Sequence, residues 1–209
     1  MPLSPTTIEA YDRQTPPSVE TATATFGLGC FWGPDARFGA MDGVVRTRVG
    51  YAGGTKSDPT YHALGDHTEV LRVEYDPAEL SYADLLELFF QSHDPRRQRS
   101  KPQYQTLLLI ESESQRDALG SYLAERDFDA ATIETRIEPL SRFYPAEDYH
   151  QKYTLRGTQP LISAFEDAGY DDEEIRDSPA AATLNGYAAG HDPTLTGGLE
   201  VIERSQPGR

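Results

Sequence analysis

Polar and apolar positions along the chain fall into short alternating runs separated by stretches of helical period. Thr23 to Gly29 (TATFGLG) alternates and is bounded by glycine, which predicts a strand. Phe31 to Met41 predicts a helix that stops at the Asp42-Gly43 turn. Val44 to Tyr51 (VVRTRVGY) alternates apolar and basic residues, the pattern of a half-buried strand, and Gly53 to Pro59 is a loop. Glu69 to Tyr75 (EVLRVEY) alternates again and ends at Asp76-Pro77. Ser81 stands where an N-cap belongs, with Asp84 as the acidic partner of a capping box. The helix it opens, Tyr82 to Ser92, carries Leu85, Leu86, Leu88, Phe89 and Phe90, and it stops before His93-Asp94-Pro95. Leu107 to Ile110 predicts a short strand, Ser114 to Glu125 a helix, Thr132 to Glu138 a strand and Pro145 to Tyr153 a last short helix. Helices and strands alternate while some strands are adjacent, which favours an α+β layer fold with a mixed or antiparallel sheet.

The two ends differ from this pattern. Residues 1–22 are rich in Pro and Thr and lack periodicity, which predicts a flexible arm. Residues 158–209 read as a partly flexible extension: Asp171 to Glu174 is a solvated acidic run, Leu184 to Gly190 is small and glycine-rich, and Gln206 to Arg209 should fray. The domain proper is then 23–157.

Composition narrows the function. A chain of 209 residues with 37% hydrophobic positions holds one domain with a sizeable core. No apolar run reaches the roughly 18 residues of a membrane span. Met1 to Glu20 lacks the basic start and apolar centre of a signal peptide, so a cytoplasmic location is expected. The net charge of −15 argues against nucleic acid or a membrane surface as partner. The acidity is spread along the chain, and lysine occurs only at 56, 101 and 152. Such a surface suits high salt, where screening removes self-repulsion. The histidines are scattered without zinc-site spacing, and Gly50 to Gly54 lacks the lysine and helix of a phosphate loop, so no cofactor or metal is expected.

Cys30 is the only cysteine, so no intramolecular disulfide can form. A lone cysteine is either a small buried hydrophobe or a reactive thiolate. The segment Gly29-Cys30-Phe31-Trp32-Gly33 places it where a strand gives way to a helix, and there backbone N–H groups and the positive helix end lower a thiol pKa. Phe31 and Trp32 fit the walls of an apolar pocket or plain core positions equally well. Glu69, at the start of a strand, is either a carboxylic acid kept protonated by burial or a solvated strand-edge carboxylate.

The five residues 29–33 resemble the signature of the methionine sulfoxide reductase A family. Further segments are similar in the same order: Gly43-Val-Val, Arg48 to Gly54, Pro59-Thr-Tyr61, Asp66-His-Thr-Glu69-Val, His93-Asp94-Pro95, Gln103-Tyr104 and Phe143 to Gln151. The similarity runs from about residue 23 to residue 155. It implies the family's fold, a ferredoxin-like α/β roll of α+β class with a mixed sheet flanked by helices. It also implies reduction of methionine S-sulfoxide, free or in proteins, as in repair after oxidative stress. By the same resemblance Cys30 is the nucleophile that becomes a sulfenic acid and Glu69 the acid. Tyr61 and Tyr104 hydrogen-bond the sulfoxide oxygen, and Phe31 and Trp32 hold the substrate methyl group. His67 and His150 also sit in matched motifs; a histidine beside a strand more often supports than catalyses, and both stay outside the catalytic set.

Two departures from the family pattern stand out. The segment Arg96 to Pro102 is short and basic, without the aspartate of the family's longer loop. It either balances local acidic charge or meets an acidic partner or substrate. There is also no second cysteine to resolve the sulfenic acid, so an external thiol must do so: thioredoxin, glutaredoxin or a small-molecule thiol. These departures motivate an alternative, a sulfoxide-binding or thiol redox sensor with little turnover, and a third reading, a reductase of another small sulfoxide. Gly186, Gly190, Gly197 and Gly198 would let the C-terminal tail wrap the core.

Overall fold

A computed structural model describes residues 3–14, 20–126, 128 and 132–201; the expected fraying of Gln206 to Arg209 lies outside them. The chain runs through α1 (Pro5–Gln14), β1 (Ala22–Leu28), α2 (Trp32–Gly39), β2 (Val44–Ala52), β3 (Thr68–Tyr75), α3 (Tyr82–Gln91), β4 (Thr106–Ile110), α4 (Glu113–Glu125), β5 (Arg136–Pro139) and β6 (Tyr144–Pro145). Four further helices follow: α5 (Tyr153–Arg156), α6 (Gln159–Asp167), α7 (Asp172–Asp177) and α8 (Pro179–Ala188). The strands form one mixed sheet in the order β5-β4-β1-β3-β2-β6, antiparallel throughout except for the parallel β4–β5 pair. Helices flank it, as an α+β fold requires.

Local chemistry explains the elements. All five residues of β4 are buried, as the apolar run Leu107 to Ile110 demands. At the start of α3, Ser81 accepts from the Asp84 N–H while the Asp84 carboxylate accepts from the Ser81 N–H, completing the capping box. The main core lies between the sheet and α2, α3 and α4. There Phe26 stacks on Phe38 at 5.4 Å and on Phe89 at 5.1 Å between centroids.

Two predicted elements differ. The strand expected over Thr132 to Glu138 begins only at Arg136, because the N–H groups of Glu134 and Thr135 bond to the Pro95 carbonyl and not to a strand. The helix expected over Pro145 to Tyr153 is instead the strand pair β6–β2, a single 3-10 turn at Asp148–His150, and α5. The Gln151 amide accounts for this. It donates to the carbonyls of Val49 and Ala146 at 2.8 and 3.0 Å and accepts from the Val49 N–H at 3.0 Å, taking the place of a strand neighbour. Lys152 then adopts a left-handed φ of 53°, which separates the turn from α5.

Both ends are more ordered than their composition suggests. Residues expected to form an arm contain α1, whose Ile8 is fully buried in a second apolar cluster with Leu155, Phe165, Ile175, Leu184 and Leu199. A ten-residue helix with one buried position shows no period in sequence. The glycine-rich tail segment is α8, whose residues Pro179 to Gly186 are all buried. Gly186 serves helix contact and not chain reversal: a Cβ there would lie 2.7 Å from the Ala36 carbonyl of α2. Reciprocally, a Cβ on Gly39 would lie 2.5 Å from the Ala182 carbonyl. Of the four glycines expected to let the tail wrap the core, Gly190, Gly197 and Gly198 turn through positive φ and Gly186 does not. The close α2–α8 approach sets an expected outcome. Gly39→Ala should lower unfolding free energy by about 1–3 kcal/mol through overpacking, measured by denaturant titration.

A polar cluster is buried in the same seam. Asp35 of α2 accepts from the Thr47 hydroxyl at 2.5 Å, the Lys152 N–H at 3.2 Å and the Asn185 amide at 3.1 Å. The Lys152 ammonium lies 3.6 Å from Asp35 and donates to the Thr47 carbonyl at 2.5 Å, with both side chains buried. Burial pushes the Lys152 amine below its ordinary pKa, opposed chiefly by the charge of Asp35. The cluster fastens α2 to β2, the α5 turn and α8.

Candidate active site

Gly29, at φ 83°, turns the chain out of β1, and Cys30 follows, exposed, two residues ahead of α2. Glu69 lies on β3, whose neighbours are β1 and β2, so it is no strand-edge residue; it is 1% exposed. One carboxylate oxygen accepts from the Phe31 N–H at 3.1 Å, immediately after the cysteine. The other accepts from the Gln103 amide at 2.7 Å. Burial raises the Glu69 pKa, against the pull of the Gln103 and Phe31 bonds and the Lys101 charge.

The thiol behaves differently from expectation. Burial by the surrounding protein pushes the Cys30 pKa up, the Trp32 N–H pulls it down, and the Glu69 charge pushes it up again. The net shift is upward, where the helix terminus alone predicted a lowered thiol. The α2 helix contributes one N–H, and burial of the sulfur outweighs it, with the Glu69 charge adding a smaller push in the same direction. The Glu69 charge thus disfavours the Cys30 thiolate.

Tyr61 and Tyr104 complete the surround. Tyr104 ends a single 3-10 turn, Pro102–Tyr104, whose Pro102 carbonyl accepts from the Thr68 hydroxyl at 2.9 Å. Its hydroxyl adjoins the Tyr61 side chain. Burial first, then the neighbouring Tyr61 and the charges of Glu69 and Cys30, push its pKa up to about 12, which keeps it a protonated donor at neutral pH. The Tyr61 backbone is held by Glu147: one carboxylate oxygen takes its N–H at 2.9 Å, the other the Tyr51 hydroxyl at 2.7 Å. Although burial works the other way, those donors hold Glu147 below the usual carboxylate range.

Phe31 and Trp32 divide their work. Phe31 is 1% exposed and packs on Tyr51 and His150, so it forms a floor. Trp32 is half-buried; one face lies parallel to Tyr153 at 3.7 Å and 5°, and its N–H donates to His150 Nδ1 at 3.2 Å. That bond leaves the proton of a neutral His150 on Nε2. Burial also depresses its pKa, so the ring is a support.

The structure thus brings Cys30, Phe31, Trp32, Glu69, Tyr61 and Tyr104 to one place. Sequence reasoning passed over Glu147, Gln103, Tyr51 and Tyr153. Gln103 and Glu147 stood inside quoted motifs, and that was their only signal; their hydrogen bonds span 34 and 86 residues.

The family model described as peptide methionine sulfoxide reductase matches residues 22–178, well over half of the chain. The chain belongs to the peptide methionine sulfoxide reductase family. A relative from Drosophila melanogaster, named peptide methionine sulfoxide reductase, is 45% identical over 189 residues, covering 89% of this chain and 74% of that protein. A relative from Halobacterium salinarum is 42% identical over 145 residues, covering 64% and 82%. Among solved structures, Mxr1 from Saccharomyces cerevisiae in reduced form has a TM-score of 0.60 at 30% identity, covering 69% of this chain and 90% of that one. Methionine sulfoxide reductase A of Corynebacterium diphtheriae has a TM-score of 0.56 at 31% identity, covering 66% and 76%. The family match extends past the limit near residue 155 expected from motifs and takes in α7 of this reductase.

Proposed function

We propose that this reductase converts methionine S-sulfoxide, free or in proteins, to methionine through a Cys30 sulfenic acid. The observation that carries this is the buried Glu69 carboxyl hydrogen-bonded to the N–H that follows Cys30. The reacting form of the Cys30–Glu69 pair carries one proton. Placed on the carboxyl, it leaves a thiolate beside an acid, the two groups needed to remove a sulfoxide oxygen. Glu69 protonates that oxygen while Tyr61 and Tyr104 orient it, and Trp32 and the Phe31 floor hold the methyl group. The oxygen passes from the substrate sulfur to the Cys30 sulfur: the substrate gains two electrons and the cysteine loses two. A first external thiol condenses with the sulfenic acid, releasing water and forming a mixed disulfide. A second frees Cys30 and leaves as a disulfide with the first.

With Cys30 the only cysteine, both thiols come from outside the chain. Thioredoxin, glutaredoxin and small-molecule thiols fit that role, and the reducing cytoplasm supplies them. No helix among the described residues is long and apolar enough to cross a membrane. The sensor alternative has less support, because Cys30, Glu69, Tyr61 and Tyr104, the residues that turnover would need, lie at one site. Turnover of an N-acetylmethionine S-sulfoxide amide with dithiothreitol tests the reading. Steady release of the thioether supports it, and binding without release moves the sensor forward.

A further inference from the structure

The loop between α3 and β4 replaces an expected acidic position with a row of exposed cations. Arg96, Arg97, Arg99 and Lys101 are exposed, and none makes an ion pair among the described residues. On a chain of net charge −15 this is unusual, since most other described arginines are paired with a carboxylate. Charge balance within the loop is therefore not what these residues provide.

The loop is fixed in place. The Gln98 side chain donates to the carbonyls of Thr106 and Glu134 at 2.9 and 3.1 Å and accepts from the Thr106 N–H at 2.8 Å. The Gln105 amide donates to the Arg99 carbonyl at 3.1 Å. Two of the cations are thereby set at the reacting group. A Cβ built on Gly29, the residue before Cys30, would meet the Arg99 guanidinium carbon at 3.4 Å. The Lys101 ammonium stands 4.7 Å from the centroid of the Tyr104 ring.

Resting on the reductase reading above, we propose that Arg99 and Lys101 form a specificity collar that selects methionine sulfoxides flanked by Asp or Glu in a peptide. A sulfoxide held between Tyr104 and Cys30 brings its sequence neighbours past both cations. Neither cation is ion-paired among the described residues, so both can meet a carboxylate, while the chain's own acidic surface repels acidic segments elsewhere. The selection acts through the approach and binding of substrate, so it appears in kcat/KM and fades with salt.

The test uses three blocked peptides in which the sulfoxide is flanked by Glu, Gln or Lys. Turnover is driven by uncharged dithiothreitol, so docking of an acidic reductant plays no part. Against wild type, kcat/KM should rank Glu over Gln over Lys, with Glu and Lys differing by about tenfold at low salt. In the Arg99→Gln/Lys101→Gln double variant the ratio should fall to about one, whatever happens to the absolute rate; a purely structural role would lower all three rates together. Equal rates for the three peptides, or a preference that survives the double variant, overturn the collar. So does a preference shown only for N-acetylmethionine sulfoxide over its amide, which would assign the cations to the terminal carboxylate of a free amino acid. Turnover of the Gln peptide without discrimination overturns the collar alone, whereas no turnover of any peptide overturns the reductase reading with it.

Discussion

Glu69→Gln lowers kcat/KM on a sulfoxide peptide by about a hundred- to ten-thousand-fold, the range for loss of a positioned acid. The amide keeps the shape and can still accept from the Phe31 N–H, but it has no proton to deliver to the sulfoxide oxygen. The same substitution has a second, opposite signature. Burial and then the Glu69 charge raise the Cys30 thiol, so removing that charge lowers the thiol pKa. Thiolate absorbance in the variant therefore appears at lower pH than in wild type, even as turnover collapses. The wild-type profile of kcat/KM follows from the one-proton pair. Activity falls on the acid side when Glu69 and Cys30 are both protonated and on the alkaline side when both have lost their protons. The acid limb lies above the ordinary glutamate range, because the Glu69 pKa is raised, and the alkaline limb lies above the ordinary thiol range. An alkaline limb that persists at the same pH in Glu69→Gln would disconnect the two groups.

Asp35→Ala lowers unfolding free energy by about 3–5 kcal/mol, with a fall in Tm on the order of 10 °C. The substitution leaves the Lys152 ammonium buried without its counter-charge and three donors, from Thr47, Lys152 and Asn185, without their acceptor. Sign follows from the amine. Its folded pKa is already depressed and drops further without Asp35, so the unfolded chain binds more protons there, and the variant regains stability as pH rises toward the ordinary lysine range. Adding Lys152→Met to Asp35→Ala removes the stranded charge and should recover part of the loss. Thermal melts across pH check both statements. An unchanged Tm in Asp35→Ala would mean that the cluster contributes little to holding α2.

Where the sequence pattern was strong, it located the elements. Alternation marked β1, β2 and β3 to within a residue or two, and Ser81 with Asp84 marked the start of α3, because burial on one face and a capped terminus are local facts. The site was legible in part for the same reason: Cys30, Phe31 and Trp32 are contiguous, and Tyr61, Glu69 and Tyr104 stood inside motifs. What could not be read depended on distant partners. The chain around Ala146 to Lys152 leaves the helical path because a glutamine side chain substitutes for a strand, and nothing local to Gln151 announces that. The terminal segments looked unstructured because each buries little alone; Ile8 of α1 needs the apolar faces of α6 and α8 to be covered. The thiol shift was misjudged because the burial that raises it, and the smaller push from Glu69, come from residues distant in sequence.

Single-turnover reaction of the fully reduced chain with a methionine S-sulfoxide peptide, without added thiol, tests the central claim most directly. Methionine released per chain and the mass of the Cys30 peptide are read together. The account predicts one equivalent of methionine and one added oxygen on Cys30, trapped by a sulfenic-acid reagent, with neither seen in Cys30→Ser. Release of methionine from the Cys30→Ser chain, or an unmodified Cys30 after release, would contradict it.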